Sequence, residues 1–191
     1  MSLPKGLGKS KTDFALVSGH GLYPDADCFI SDFQGNKRKV LTKNFAKNYQ
    51  SGTETDWALV SFKRIKGAHI KRYNLDGYLE TPSALHNASI SFARARGLPQ
   101  NSQNCKIAVV KSKTAERSSP LFSHNCHAIS GQSGSPLTQS LDGRHNLIGL
   151  HLGYIWVLKS PITGKPGHLN ILRPYDKEIS DEIRYHLSAV E

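Results

Sequence analysis

Apolar and polar positions alternate over short stretches along most of this chain, punctuated by glycine, proline and asparagine. Phe14-Ala15-Leu16-Val17 is a brief apolar run that ends at Ser18-Gly19 and reads as a strand entering a turn. Residues 28–33 read as a second strand closed by Gln34-Gly35-Asn36, residues 39–42 as its hairpin partner, and residues 57–62 as a fourth strand. From residue 63 to about 87 the pattern weakens around Gly67, Gly77 and Pro82, which reads as a connection between two subdomains. Strand patterning resumes over 88–93 and continues through 105–110, 121–123, 147–152, 154–158 and 169–172. The period then changes. Tyr175, Ile179, Ile183 and Leu187 recur every four residues among charged positions, which predicts an amphipathic helix, with Pro174 placed to open it. Many short strands with turn signals and one terminal helix predict an all-β fold of paired barrels.

The chain has 191 residues, enough for one good core or two small ones. Its 38% hydrophobic and 21% charged residues are ordinary for a globular protein. No apolar run approaches the roughly 20 residues that span a bilayer; the longest, 147–158, is broken by His151 and Gly153. Met1-Ser2-Leu3-Pro4-Lys5-Gly6 lacks the apolar segment of an export leader. No membrane partner is therefore expected. The net charge of +10 favours an anionic partner or substrate in sign. The basic residues are scattered, however, with only small clusters at 35–39 and 63–66, and neither sits in a nucleic-acid motif. No nucleic-acid partner is expected.

Gly131-Gln132-Ser133-Gly134-Ser135-Pro136 concentrates the chemistry. Small residues allow a tight turn and the close approach of a substrate carbonyl, and such a turn can aim two main-chain N–H groups at one developing oxyanion. A serine hydroxyl needs an adjacent base to attack at neutral pH. Upstream stand His20, in Val17-Ser18-Gly19-His20-Gly21-Leu22, and Asp56, in Thr55-Asp56-Trp57-Ala58-Leu59-Val60. Imidazole titrates near working pH, and a carboxylate on its other nitrogen fixes the tautomer.

These three motifs, in the order His, Asp, Ser, resemble the trypsin-like serine peptidases, and most closely the compact bacterial branch that includes glutamyl endopeptidases. The resemblance runs from about Phe14 to the C-terminus. It implies a chymotrypsin-like double β-barrel with a C-terminal helix. One subdomain, residues 1–75, would carry His20 and Asp56, and the other, residues 76–191, would carry Ser133 and the helix. Only 19 residues precede His20, fewer than the family usually places there. The first barrel is thus expected to be incomplete, or else to open with a short strand over residues 5–12.

The resemblance further implies a serine endopeptidase acting on protein or peptide substrates through an acyl-enzyme. Ser133 would be the nucleophile, His20 the base and Asp56 its orienting partner, with an oxyanion hole from the N–H groups of Gly131 and Ser133. Leu147-Ile148-Gly149-Leu150-His151-Leu152-Gly153 looks like the strand lining the primary specificity pocket. A protonated His151 there, helped by Ser130 and His127, implies a preference for acidic residues. Gln132 stands where trypsin-type zymogens carry an Asp paired with a newly cut terminus, and no Ile-Val-Gly-Gly is present to supply one. The alternative is an inactive, protease-fold interaction module. Three cysteines leave at least one unpaired. By the resemblance, Cys105 and Cys126 form a disulfide, which leans toward a secreted or periplasmic protein. His124-Asn125-Cys126-His127 has no second cluster to complete a zinc site, so neither metal nor cofactor is expected.

Overall fold

The computed structural model describes residues 12–31, 36–64, 86–91, 101–109, 122–141 and 144–188. The expected subdomain boundary near residue 75 falls outside them, as does all of the short strand expected over 5–12 except Thr12.

Two β-sheets account for most of this structure. The first orders its strands β1-β4-β3-β2, where β1 is Thr12–Val17, β2 Phe29–Ser31, β3 Lys37–Phe45 and β4 Ala58–Lys63. All its pairings are antiparallel, and the β2–β3 hairpin predicted from sequence is present. Among the described residues this sheet is open. The second is a closed six-stranded antiparallel barrel, β10-β7-β6-β5-β8-β9. Its strands are β5 His86–Ser91, β6 Asn101–Val109, β7 Phe122–His124, β8 Pro136–Leu141, β9 Arg144–Val157 and β10 Gly167–Pro174. One helix, α1 Lys177–Ser188, follows. Among the described residues no helix is long and apolar enough to cross a membrane.

The first sheet is covered on both faces, so Ala58 to Phe62 of β4 are buried in succession, apolar but for Ser61, rather than alternating. Ala15, Val40, Val60 and Phe62 form a cluster on one side. Phe14, Leu16, Trp57 and Leu59 point the other way and join Leu147 and Leu150 of the barrel with Tyr175, Ile179 and Ile183 of the C-terminal segment. This shared cluster is the seam that docks the two sheets. Ile179 and Ile183 are fully buried in it, each contributing about 1.5–3 kcal/mol. The Leu187 side chain lies outside the described residues. Cys105, Ile107, Phe122, Cys126, Leu137, Ile148 and Leu172 fill the barrel separately, and the Cys105–Cys126 disulfide lies among them.

Three details differ from the sequence reading. Pro174 ends β10 instead of opening the helix. The cap is Asp176, whose Oδ1 accepts the Ile179 N–H at 3.2 Å, because a carboxylate answers an orphan helix donor and proline cannot. The helix start is also held by Arg173, fully buried and paired with Asp176 at 2.5 Å and Glu178 at 2.9 Å. Strand β8 follows directly on the serine turn, where Pro136 conceals it in sequence; the proline heads the strand, a position where its missing N–H is tolerated. Residues 147–158, read as two strands, lie almost entirely within the single strand β9. The register against β10 passes from Ile171↔Gly153 to Leu172↔His151, so Leu152 is an extra, bulged residue. A bulge reverses which face later side chains present.

Gly149 marks the tightest β9–β10 approach, since a Cβ there would overlap the Leu172 side chain and the Arg173 carbonyl. Gly149→Ala should therefore destabilise by about 2–3 kcal/mol, read as a lower urea midpoint at unchanged slope.

Candidate active site

His20 lies in a 3-10 turn, Gly19–Gly21, directly after β1. Asp56 lies 36 positions on, just before β4, and has no exposed surface. Antiparallel pairing aligns Val17 with Ala58, which brings the two loops together. Asp56 accepts three N–H groups: the His20 amide at 2.8 Å on Oδ1, and the His20 ring Nδ1 and the Gly52 amide, each at 2.7 Å on Oδ2. An ionised carboxylate only accepts, so Nδ1 carries the proton and Nε2 keeps a lone pair.

The loop that presents Asp56 is built from its own hydroxyls. Thr55 Oγ1 donates to the Asn48 carbonyl and accepts the Gln50 N–H, both at 3.0 Å, while Thr53 Oγ1 donates to the Gln50 carbonyl at 2.7 Å. Tyr49 packs where a side chain on residue 19 would stand, which is why Gly19 fits there and nothing larger does. Burial, and then the Asp56 charge, raise the Tyr49 hydroxyl above its usual pKa.

The serine motif is two consecutive turns. Gln132 N–H donates to the Ile129 carbonyl at 3.2 Å and Ser135 N–H to the Gln132 carbonyl at 3.1 Å. Gly131 and Gly134 hold the third position of each at φ 89° and 81°, the left-handed conformation that type II turns require and glycine supplies. The buried Gln132 side chain fastens the first turn, its Oε1 accepting the Ile129 N–H at 2.6 Å. An amide thus stands where the resembled zymogens use an ion pair. The amides of Gly131 and Ser133 make no hydrogen bond to described residues, as an oxyanion site requires.

The turn meets the first sheet at Gly134. A Cβ there would sit 3.1 Å from Ser18 N and 3.8 Å from Val17 Cα, so Ser133 is held beside the segment leading into His20. The Ser133 hydroxyl donates to the Leu152 carbonyl at 3.0 Å; no hydrogen bond joins it to the His20 ring among the described residues. The bulge at Leu152 explains this carbonyl's position at the turn.

His151 follows the same turn, donating its N–H to Ser135 O at 2.8 Å and accepting from Gly134 N at 2.7 Å. Its ring is buried, and Nδ1 lies 3.0 Å from Nε2 of buried His124. Burial, and then His20, lower His151 to a pKa of about 4; burial, and then His151, lower His124 to about 3. Both rings are neutral at pH 7, in contrast to the protonated imidazole expected from sequence. His124 Nδ1 is enclosed without a partner. An orphan acceptor is tolerated better than an orphan donor. The favoured arrangement has His124 Nε2–H donating to His151 Nδ1, which leaves Nε2–H of His151 as a donor. Ser130, inside the first of the two turns, and His127, on the loop before it, are both exposed, and among the described residues no hydrogen bond links either to His151. Among the described residues no cluster of three or more His, Cys, Asp or Glu side chains is suited to a metal ion. Sequence reasoning missed Gly52, Tyr49 and the His124–His151 contact; each depends on packing between distant segments.

Neither a family model nor a curated protein sequence matches the chain. Solved structures do. A structure of kallikrein-related peptidase 10 in complex with Zn2+ matches with a TM-score of 0.56 and 13% identity, covering 93% of this chain and 90% of its own. The murine norovirus NS6 protease, in an inactive mutant form, matches with a TM-score of 0.49 and 15% identity, over 87% of this chain and 85% of that one. At such identity the kallikrein likeness is one of fold alone, and the fold is the chymotrypsin-like double β-barrel.

The buried histidine pair gives stability a defined pH dependence. Their pKa values fall from 6.5 when unfolded to about 4 and about 3 when folded. Between those limits the unfolded chain binds more protons, so stability is complete above pH 6.5 and declines toward pH 3. Melting temperature should drop over that range, and His124→Phe should make the decline shallower.

Proposed function

We propose that this chain is a serine endopeptidase. Ser133 attacks the substrate carbonyl, and His20 accepts its proton at Nε2 and returns it to the leaving amine. Water then hydrolyses the acyl-enzyme by the same relay. Asp56 orients the imidazole and stabilises its cationic form. The tetrahedral oxyanion is held by the N–H groups of Gly131 and Ser133. Residues of the first lobe supply the base and its partner, those of the second the nucleophile, and substrate lies between them.

One observation carries this reading: a half-buried His20 ring held by fully buried Asp56 with its tautomer set, in a lobe that meets the double turn at the Ser18–Gly134 contact. For this relay the Ser133 hydroxyl has to leave the Leu152 carbonyl and turn to the imidazole, and catalytic hydrogen bonds often form only when substrate is bound. That same Ser133–Leu152 bond, together with the open first sheet, is what favours the rival reading of an inactive interaction module on this fold.

For substrate choice we propose an acidic side chain beside the scissile bond, met by the neutral Nε2–H of His151, with Ser130 and His127 at the rim. A neutral donor recognises a carboxylate with less selectivity than a cation. The Cys105–Cys126 disulfide supports an oxidising compartment, outside the cell or in a periplasm.

A fluorophosphonate probe should modify Ser133 in the folded protein, as located by peptide mass mapping. Ser133→Ala should abolish labelling and lower kcat by about six orders of magnitude. Folded protein that resists the probe favours the inactive module.

A further inference from the structure

Past Leu152 and Leu169, both buried, the β9–β10 hairpin turns its apolar residues to solvent. Tyr154 is 67% exposed, Trp156 62% and Leu158, at the turn, 86%. Ile155, on the opposite face of the strand, is 38% exposed. His168 of β10 stands between the two aromatic rings, with centroids 5.0 Å from Tyr154 and 5.1 Å from Trp156, both edge to face, and braces them. Apolar residues grouped on one hairpin, rather than scattered singly, mark a surface that meets something less polar than water.

The turn satisfies its own backbone donors. Across residues 160–166 every N–H is bonded within the turn or absent. Ser160 N–H donates to the Lys165 carbonyl at 2.9 Å, and Gly164 N–H to the Ser160 carbonyl at 2.8 Å. Buried Ser160 accepts the N–H groups of Ile162 and Thr163 on its Oγ at 3.2 and 3.3 Å, and Thr163 Oγ1 accepts that of Lys165 at 3.3 Å. Pro161 and Pro166 have no N–H. A turn so arranged strands no donor when it leaves water, the condition that backbone near hydrocarbon must meet.

Charge selects the occupant. Residues 143–175 contain no Asp or Glu. The turn carries Lys159 and Lys165, both exposed and neither paired with a carboxylate among the described residues. We propose that the tip of the β9–β10 hairpin is a seat for an anionic lipid surface. Leu158 enters the outer acyl region, Trp156 and Tyr154 lie at headgroup depth with their N–H and O–H wet, and the two lysines meet lipid phosphates and carboxylates. Apolar side chains on both faces of the strand and at its end favour lipid over a folded protein: a rigid partner covers one face, whereas a bilayer closes around the tip. The chain's net charge of +10 acts in the same direction. Such a seat needs no spanning segment, so the lack of one, on which the expectation of no membrane partner rests, does not bear on it. The seat is also independent of the peptidase reading.

The test adds phosphatidylcholine vesicles, with or without phosphatidylserine, to the protein. It has two tryptophans, and Trp57 is only 1% exposed, so a change in emission reports Trp156. With phosphatidylserine present, a blue shift and co-sedimentation are expected, both weakening as salt is raised. Lys159→Gln combined with Lys165→Gln should lower the partition coefficient about thirtyfold, at roughly fivefold per lysine, and Leu158→Asn about tenfold. All three positions are exposed, so the melting temperature should not move. Ser133→Ala should bind vesicles as the unsubstituted chain does. Absence of both the shift and co-sedimentation overturns the seat. So does binding that the lysine and Leu158 variants leave undiminished, which would place the lipid on another basic face. A shift with a Trp-free peptide and none with vesicles gives the rings to a polypeptide and overturns it as well.

Discussion

His20 and Asp56 stand on one lobe and Ser133 on the other, so the proposed chemistry depends on how closely the two sheets approach at their seam. An apolar cluster drawn from β1, β4, β9 and the terminal helix supplies the adhesion. A glycine supplies the proximity. Gly134 lets the serine turn lie against Ser18 at near van der Waals distance from main chain to main chain, a spacing that a side chain would widen. The seam is thus both a core and a ruler, and its apolar half makes its polar half possible. Trp57, fully buried in the cluster, follows Asp56 in sequence and fixes the backbone from which that carboxylate projects.

Burying ionisable groups is expensive unless each is answered, and this site answers them in two ways. The Asp56 carboxylate is met by three converging N–H groups. His124 and His151 give up theirs: enclosed, and close to one another, both rings stay neutral. A carboxylate thus stands behind the His20 ring, and a neutral imidazole lies on the strand beside the Ser133 turn.

The sequence made the site legible where chemistry is encoded locally. Glycines flanking Ser133, and an aspartate directly before an apolar strand, are short-range patterns, and His20 sits in a small-residue turn for the same reason. The terminal helix was legible because one buried face imposes its period on Tyr175, Ile179 and Ile183. The features hidden from sequence are set by register and by distant packing. The Leu152 bulge exists only through pairing with β10. The His124–His151 contact joins strands from opposite sides of the serine turn. Gly52 reads as an ordinary loop glycine until its N–H is found on Asp56. Strand β8 was concealed by Pro136 at its head. In each case the individual residue is unremarkable, and the partner that gives it meaning lies far along the chain.

Gln132 fastens its own turn through a side-chain amide, a group that carries no charge at any physiological pH and needs nothing from elsewhere in the chain. A hairpin secured this way is set as soon as the barrel closes, without waiting for a cut to release a buried amine. On the peptidase reading proposed above, that plan calls for no dormant precursor form of the turn, and restraint would come from timing or location: when the disulfide is sealed, where the polypeptide is delivered, or which inhibitor meets it first.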